Sequence, residues 1–298
     1  MKSGQTAVQL SLLTTSVRVM HESACPDIGP ICNERDEPPQ IHDQRFAIGE
    51  LRVGVEHGFT DALGLELQLP LRLNRSTIQF RRLDGTPVEL DYENIHHRNE
   101  TLFGLGDPWV LGRYAFSLGE VRLATRAGFT VPLGNTVEDP FALGDAGLSH
   151  QHVQFGTGTV QPLLGLEAER TWDAWSVRGW GQAQVSLAEN SHGFRAGHRF
   201  GLGLSGGLKV VDTLHLSAGV NLAHEQPERW GGVVQQDGNL GRTDVLVGGT
   251  LSWSVKDVRL GFNLQVPVYS HIIGHHGQLD YPGLLGLTAG TTFGDGGP

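Results

Sequence analysis

The chain has 298 residues, 39% of them hydrophobic and 18% charged, with 42 glycines, a formal net charge of −10 and a mean hydropathy of −0.18. That acidic balance argues against a nucleic-acid partner, which would need a basic stripe or patch. No apolar run reaches about 18 residues, which excludes a polytopic helical membrane protein, and so many glycines suit neither a helical enzyme nor a disordered chain.

Read from the N-terminus, MKSGQTAVQLSLL carries Lys2 but no continuous apolar core and no small-residue cleavage site. Export would therefore require a leader removed earlier, or an internal start. Alternating apolar and polar residues predict strands over roughly 6–20, 44–57, 61–75, 104–117, 119–133, 155–170, 173–187, 197–211, 213–226, 241–255, 257–270 and 281–293, with no helix between them. The clearest is LGLELQLPLRLN, residues 63–74, with Leu63, Leu65, Leu67, Leu69, Leu71 and Leu73 on one face and Gly64, Glu66, Gln68, Pro70, Arg72 and Asn74 on the other. Sandwich strands rarely exceed about ten residues. A tilted strand that crosses a bilayer and continues beyond it needs more.

The connections alternate as well. Short turns fall near 57–61, 118–120, 171–173, 212–213 and 256–257, and long polar segments at 21–43, 76–103, 134–154, 188–196, 227–240 and 271–280. Tight turns on one rim and extended loops on the other are the asymmetry of bacterial outer-membrane barrels, with both termini on the short-turn side and an even strand count. The expected fold is thus all-β: a single-domain transmembrane antiparallel β-barrel over 1–298, of about 12 strands, with the lipid bilayer as partner. A sandwich with one wet face would alternate too. Glycine on the polar side, at Gly201, Gly203, Gly207, Gly261, Gly286 and Gly290, favours a crowded closed interior. In an oxidising compartment Cys25 and Cys32, within the long 21–43 loop, are expected to form a small-loop disulfide; otherwise they stay thiols.

Each strand can be assigned an inner and an outer face. Phe200, Leu202, Leu204, Leu208 and Val210 point to lipid against Gly201, Gly203, Ser205, Gly207 and Lys209; Val258, Leu260, Phe262, Leu264, Val266 and Val268 oppose Arg259, Asn263 and Gln265. Phe293 closes the last strand in the lipid-facing phase, which resembles the C-terminal signal read by the barrel assembly machinery, although GDGGP follows it.

Three glycine-rich motifs, GLGDPWVLGRY (104–114), GFTVPLGN (128–135) and FGTGTVQPLLGLEAE (155–169), resemble an outer-membrane barrel family named for the meta pathway of phenol degradation. The likeness covers mainly residues 100 to 170. It implies an outer-membrane location in a Gram-negative cell and a channel or uptake role for small molecules, hydrophobic or aromatic compounds among them; it brings no catalytic residue and no cofactor. Gly104, Gly106, Gly156 and Gly158 are read as strand entry points at the rim.

The residues expected to line a solute path are Arg72, Arg113, Arg122, Arg126, Arg178, Glu66, Glu167 and Glu169, within an inward set that also holds Arg52, Lys209, Arg259, Glu56 and Asp244. Such a cluster also braces a wall by ion pairing. Histidines concentrate in the long segments, and His96, His97, His150, His152, His275 and His276 are candidate ligands for a divalent metal where loops converge, though no fixed ligand spacing is present. The alternative function is a non-conducting barrel whose loops bind a partner or metal. No enzyme is expected: His215 and Ser217 share a strand face, but it is the inward one, where a lipid substrate has no access. Trp109, Trp172, Trp175, Trp230, Trp253, Tyr114 and Tyr269 are expected at interfacial girdles, and Trp180 inside.

Overall fold

Alternation with period two leaves each strand apolar on one side only, and a closed sheet is the arrangement that gives every strand the same allocation. The computed structural model describes residues 1–23, 40–91, 94–236, 238–272 and 278–294. Among them twelve long strands form one antiparallel sheet: β1 (Thr6–Ser23), β2 (Gln40–Gly58), β3 (Leu63–Arg82), β4 in two pieces (Glu100–Leu105 and Trp109–Leu118), β5 (Val121–Thr130), β6 (Pro162–Trp172), β7 (Trp175–Gln184), β8 (Arg199–Val211), β9 (Leu214–Glu225), β10 (Arg242–Val255), β11 (Val258–Ile272) and β12 (Leu284–Phe293). Each pairs with the next, and β1 pairs with both β2 and β12, Thr6 standing opposite His57 on one side and Phe293 on the other. Among the described strands the barrel is closed, with no open edge.

Directly opposed residues share a face, so the register separates inside from outside. Leu10, Leu12, Leu51, Leu67, Leu69, Phe129, Leu164, Leu166, Leu202, Leu204, Leu251, Phe262 and Leu287 lie exposed on the outer surface. Above this band the outward positions of β1 and β2 turn polar, and Arg18 pairs there with Asp43 through two hydrogen bonds of 2.7 Å. The five tight turns and both described chain ends sit on one rim, and the long connections on the other. Among the described residues no helix is long and apolar enough to cross a membrane.

Three sequence expectations need correction. The strands on the long-loop side run further than alternation indicated: β3 reaches Arg82 and β4 begins at Glu100, within what reads as a 76–103 loop. The strand expected over 155–170 starts only at Pro162, because the backbone of 155–157 is engaged by Arg72, Asn135 and Asp107 rather than by a neighbouring strand. A helix, α1 (Pro140–Asp145), stands where none was predicted; Asp139 caps it, accepting from the backbone N–H groups of Phe141 and Ala142. Cys25, Cys32, His275 and His276 lie outside the described residues.

Replacing Leu204, an outward leucine midway along β8, by Arg is expected to destabilise the folded barrel by about 2–4 kcal/mol in reversible folding into lipid vesicles.

Candidate functional site

The break in β4 is the starting point of the interior's architecture. Residues 106–108 pass Pro70 of β3, whose carbonyl accepts the Gly106 N–H at 2.9 Å. A strand residue's N–H and C=O point to the same neighbour, so the N–H that proline lacks is missing on this side. With the ladder interrupted, Asp107 turns to a different task. It is 6% exposed, and its carboxylate accepts the backbone N–H of Gly134 at 3.0 Å and both the N–H and the hydroxyl of Thr157 at 2.7 Å. Asn135 completes the junction by exchanging hydrogen bonds with Leu105 and accepting the Gly156 N–H at 2.7 Å. The backbones of Gly134 and Gly156 cross so closely that a Cβ on either would lie 2.5 Å from the other. The three glycine-rich motifs are therefore one knot in space, not three strand entrances. It ties the 131–161 connection to the inner wall.

The consequence is a narrowed lumen. Phe155 packs over Gly104, where any side chain would overlap its ring, and the Phe155 carbonyl accepts from the inward-facing Arg72 at 2.6 Å. Trp180 points inward from β7 and lies on Gly203 and Gly201 of β8; a Cβ at Gly203 would fall against its indole nitrogen. Trp109 also faces inward, with the Arg52 guanidinium 4.5 Å above its ring, and Trp230 is buried among the loops, so neither belongs to a girdle. Trp172, Trp175, Trp253, Tyr114 and Tyr269 are exposed on the outer surface.

Below Phe155 the wall carries a chain of charges. Glu50 pairs with Arg52 and, at 2.8 Å, with Arg72; Arg52 donates to Gln68 at 3.0 Å, and Gln68 to Glu66. Arg126 then bridges Glu66 at 2.9 Å and Glu167 at 3.4 Å, and Arg178 meets Glu167 at 2.5 Å. Nearer the short-turn rim Arg113, 6% exposed, stands 3.5 Å from Glu56. Arg122 and Glu169 are directly opposed across β5 and β6 on the same inner face. All eight residues proposed for the path thus share the barrel interior. Arg72, Arg113, Arg126, Arg178, Glu66 and Glu167 are in ion pairs.

Three adjoining cavities follow this chain. One of about 540 Å³ is lined by Glu66, Arg126, Glu167, Arg178, Trp180 and the amides Asn221, Asn263 and Gln265. A second of about 260 Å³ lies between Trp109, Phe155 and Trp180, with Arg52, Arg72, Arg199, Gln182 and Gln184 around it. The third, of about 350 Å³, shares Arg52 with the second and Glu66 and Gln68 with the first. Phe155, Trp109 and Asp107 were not identified from sequence as site residues. Their signal in the sequence was the glycine-rich motifs GLGDPW and FGTG that contain them.

At the long-loop rim the connections build a cap. Phe194 and Trp230, 4% and 2% exposed, pack together with Phe141 of α1 and Val137. Beside this small core, His96 and His97 meet His150 and His152, with His21 of β1 and His42 of β2 joining them. Sequence grouping missed these last two, which face each other only through register. The Asn94 side chain accepts the N–H groups of His96 and His97 at 2.9 and 2.7 Å, while Arg98 reaches the carbonyls of Ile95 and His150. Burial first, and neighbouring imidazoles second, hold His96 and His97 far below the usual imidazole range and push His152 down to about 4. These rings are neutral at physiological pH.

Among solved structures the chain is similar to an outer membrane channel from Pseudomonas putida F1, at 16% identity and a TM-score of 0.61, covering 98% of this chain and 97% of that one. Also similar are the P. putida toluene transporter TodX, at 9% identity and TM-score 0.45 over 100% of this chain and 92% of that one, and the Ralstonia pickettii toluene transporter TbuX, at 11% and 0.42 over 98% and 90%. No protein-family model and no curated protein matches. The first likeness establishes the fold as that of a bacterial outer-membrane β-barrel. The phenol-degradation resemblance rests on its motifs alone.

Asp107→Ala is expected to release the 131–161 connection, leaving donors unsatisfied at roughly 1–3 kcal/mol each. The checks are a lower unfolding midpoint and faster amide exchange at Gly134 and Thr157. Gly203→Ala should displace Trp180 from β8, read as a change in near-ultraviolet circular dichroism without loss of sheet signal.

Proposed function

We propose that the protein is an outer-membrane channel for small molecules, embedded in the bilayer with its long loops outside the cell and its tight turns in the periplasm. The observation that carries this reading is the run of three adjoining cavities, each with charged side chains in its lining, inside a closed barrel with an apolar exterior. The fold of the P. putida F1 outer membrane channel supports it. Insertion through the barrel assembly machinery is part of this proposal, and Phe293 in the lipid-facing phase supports it.

Arg72, Arg113, Arg122, Arg126, Arg178, Glu66, Glu167 and Glu169 are proposed to line the path. Ion pairs fix the charges on the wall, so they present a transverse field instead of free side chains that would block the bore. The narrow point is the 260 Å³ space between Trp109, Phe155 and Trp180, smaller than sites for drug-sized ligands. Aromatic faces with Arg52, Arg72 and Arg199 beside them favour a single planar ring carrying a polar or anionic substituent.

In planar bilayers the wild type is expected to give single-channel steps, and Arg122→Ala with Arg126→Ala to shift selectivity toward cations. Unaltered currents would remove these residues from the path, and the absence of steps from folded protein would favour a non-conducting surface barrel. In liposome swelling, an anionic single-ring solute should enter faster than a cationic one of equal size.

A further inference from the structure

The channel reading leaves six clustered imidazoles at the long-loop rim without a role. One ring nitrogen from each of His96, His150 and His152 lies within 4.8 Å of the others, and the same holds for His21, His42 and His97. The two triads touch through His96 and His97, stacked with centroids 4.1 Å apart. Each triad draws on separate chain segments: His96 and His97 on the connection after β3, His150 and His152 on the 131–161 connection, and His21 and His42 on β1 and β2.

Neighbouring groups prepare the rings as ligands. His150 Nδ1 is 2.9 Å from the Leu148 carbonyl, which only accepts, so Nδ1 holds the proton and Nε2 keeps its lone pair. Both ring nitrogens of His152 are buried with no hydrogen-bond partner, an arrangement that buried polar atoms seldom tolerate unless something else satisfies them. Phe141 holds the His152 ring edge-on at 4.9 Å, so the ring is placed by packing and not by hydrogen bonding.

We propose that His96, His150 and His152 bind a divalent transition-metal ion of the Zn²⁺, Cu²⁺ or Ni²⁺ class, with His21, His42 and His97 as a second ligand set beside it. Neutral nitrogen donors without a carboxylate suit these ions and not Ca²⁺ or Mg²⁺, which require oxygen. Metal–nitrogen bonds of about 2.0–2.1 Å set ligand nitrogens roughly 3.3 Å apart, so small side-chain rotations close the triad. A bound ion would clip the connection after β3 to the one that narrows the lumen. The proposal is independent of conduction.

The test is isothermal titration of the tag-free, detergent-folded full chain with ZnCl₂. Saturable binding of one or two ions per chain is expected, weakened at least about tenfold by His152→Ala and by His96→Gln, and unchanged by His215→Ala inside the lumen. MgCl₂ and CaCl₂ should give no saturable heat. A Co²⁺ titration of the wild type checks the ligand set without any variant, through the strong visible bands of a nitrogen-ligated low-coordinate ion. Absence of saturable Zn²⁺ binding, full affinity in folded His152→Ala, or a Co²⁺ spectrum that stays that of the aqueous ion would each overturn the proposal.

Discussion

Closure of the sheet is the constraint on which the rest of this molecule depends. Once β1 bonds to both β2 and β12, the described strands form a closed ring, and the two faces of every strand have different surroundings. The outer face carries leucine, valine and phenylalanine that would be a liability on a protein in water. The inner face receives the charges, which hydrocarbon would not accept. With opposite charges on nearby strands of one inner face, pairing follows from proximity, and the chain from Glu50 to Arg178 is the outcome.

The bore is then set by one local interruption. Pro70 offers no N–H to β4, the ladder opens at residues 106–108, and a buried carboxylate, Asp107, collects donors from two distant parts of the 131–161 connection. Charge-assisted bonds from backbone N–H groups are strong enough to hold a long connection against a wall. Glycine is needed at the crossing of Gly134 and Gly156 because the two backbones occupy the space of a side chain. Phe155 is carried into the lumen by this tie, and Trp180 is accommodated opposite by the bare backbone at Gly201 and Gly203. Aromatic rings at the narrow point thus depend on glycines elsewhere, at the Gly134–Gly156 crossing and at Gly201 and Gly203 of β8.

The cap over the long-loop rim follows a different logic. Its apolar core is small, built on Phe194, Trp230 and Phe141, and the histidine cluster lies beside it. Imidazole packs edge-on and face-on like any ring while remaining a nitrogen donor. The cluster therefore contributes packing whether or not an ion is present, and binding of an ion would add a directional link between connections that are otherwise joined by hydrogen bonds such as those of Arg98.

Alternation over 63–74 was enough to place leucines outside and Glu66 and Arg72 inside, because side-chain direction in a strand is decided by residue parity alone. The positions of the tight turns, the long connections and the approximate strand count followed from the same local rule. Parity was not followed past the ends of the hydrocarbon: above the apolar band the outward positions of β3 are polar and Ile78 and Phe80 take the inner parity, so the apolar phase inverts and the extension to Gln40 and Arg82 does not continue the pattern below. Nor could it show that GLGDP, VPLGN and FGTG meet, since their contacts are between a carboxylate and backbone groups up to 50 residues away. His21 and His42, Trp109 beneath Arg52, and Phe155 in the lumen belong to the same class. Sequence determined which face each strand residue takes, a matter of local geometry; tertiary structure alone decided which of them meet, because that depends on register and on where a long connection is tied.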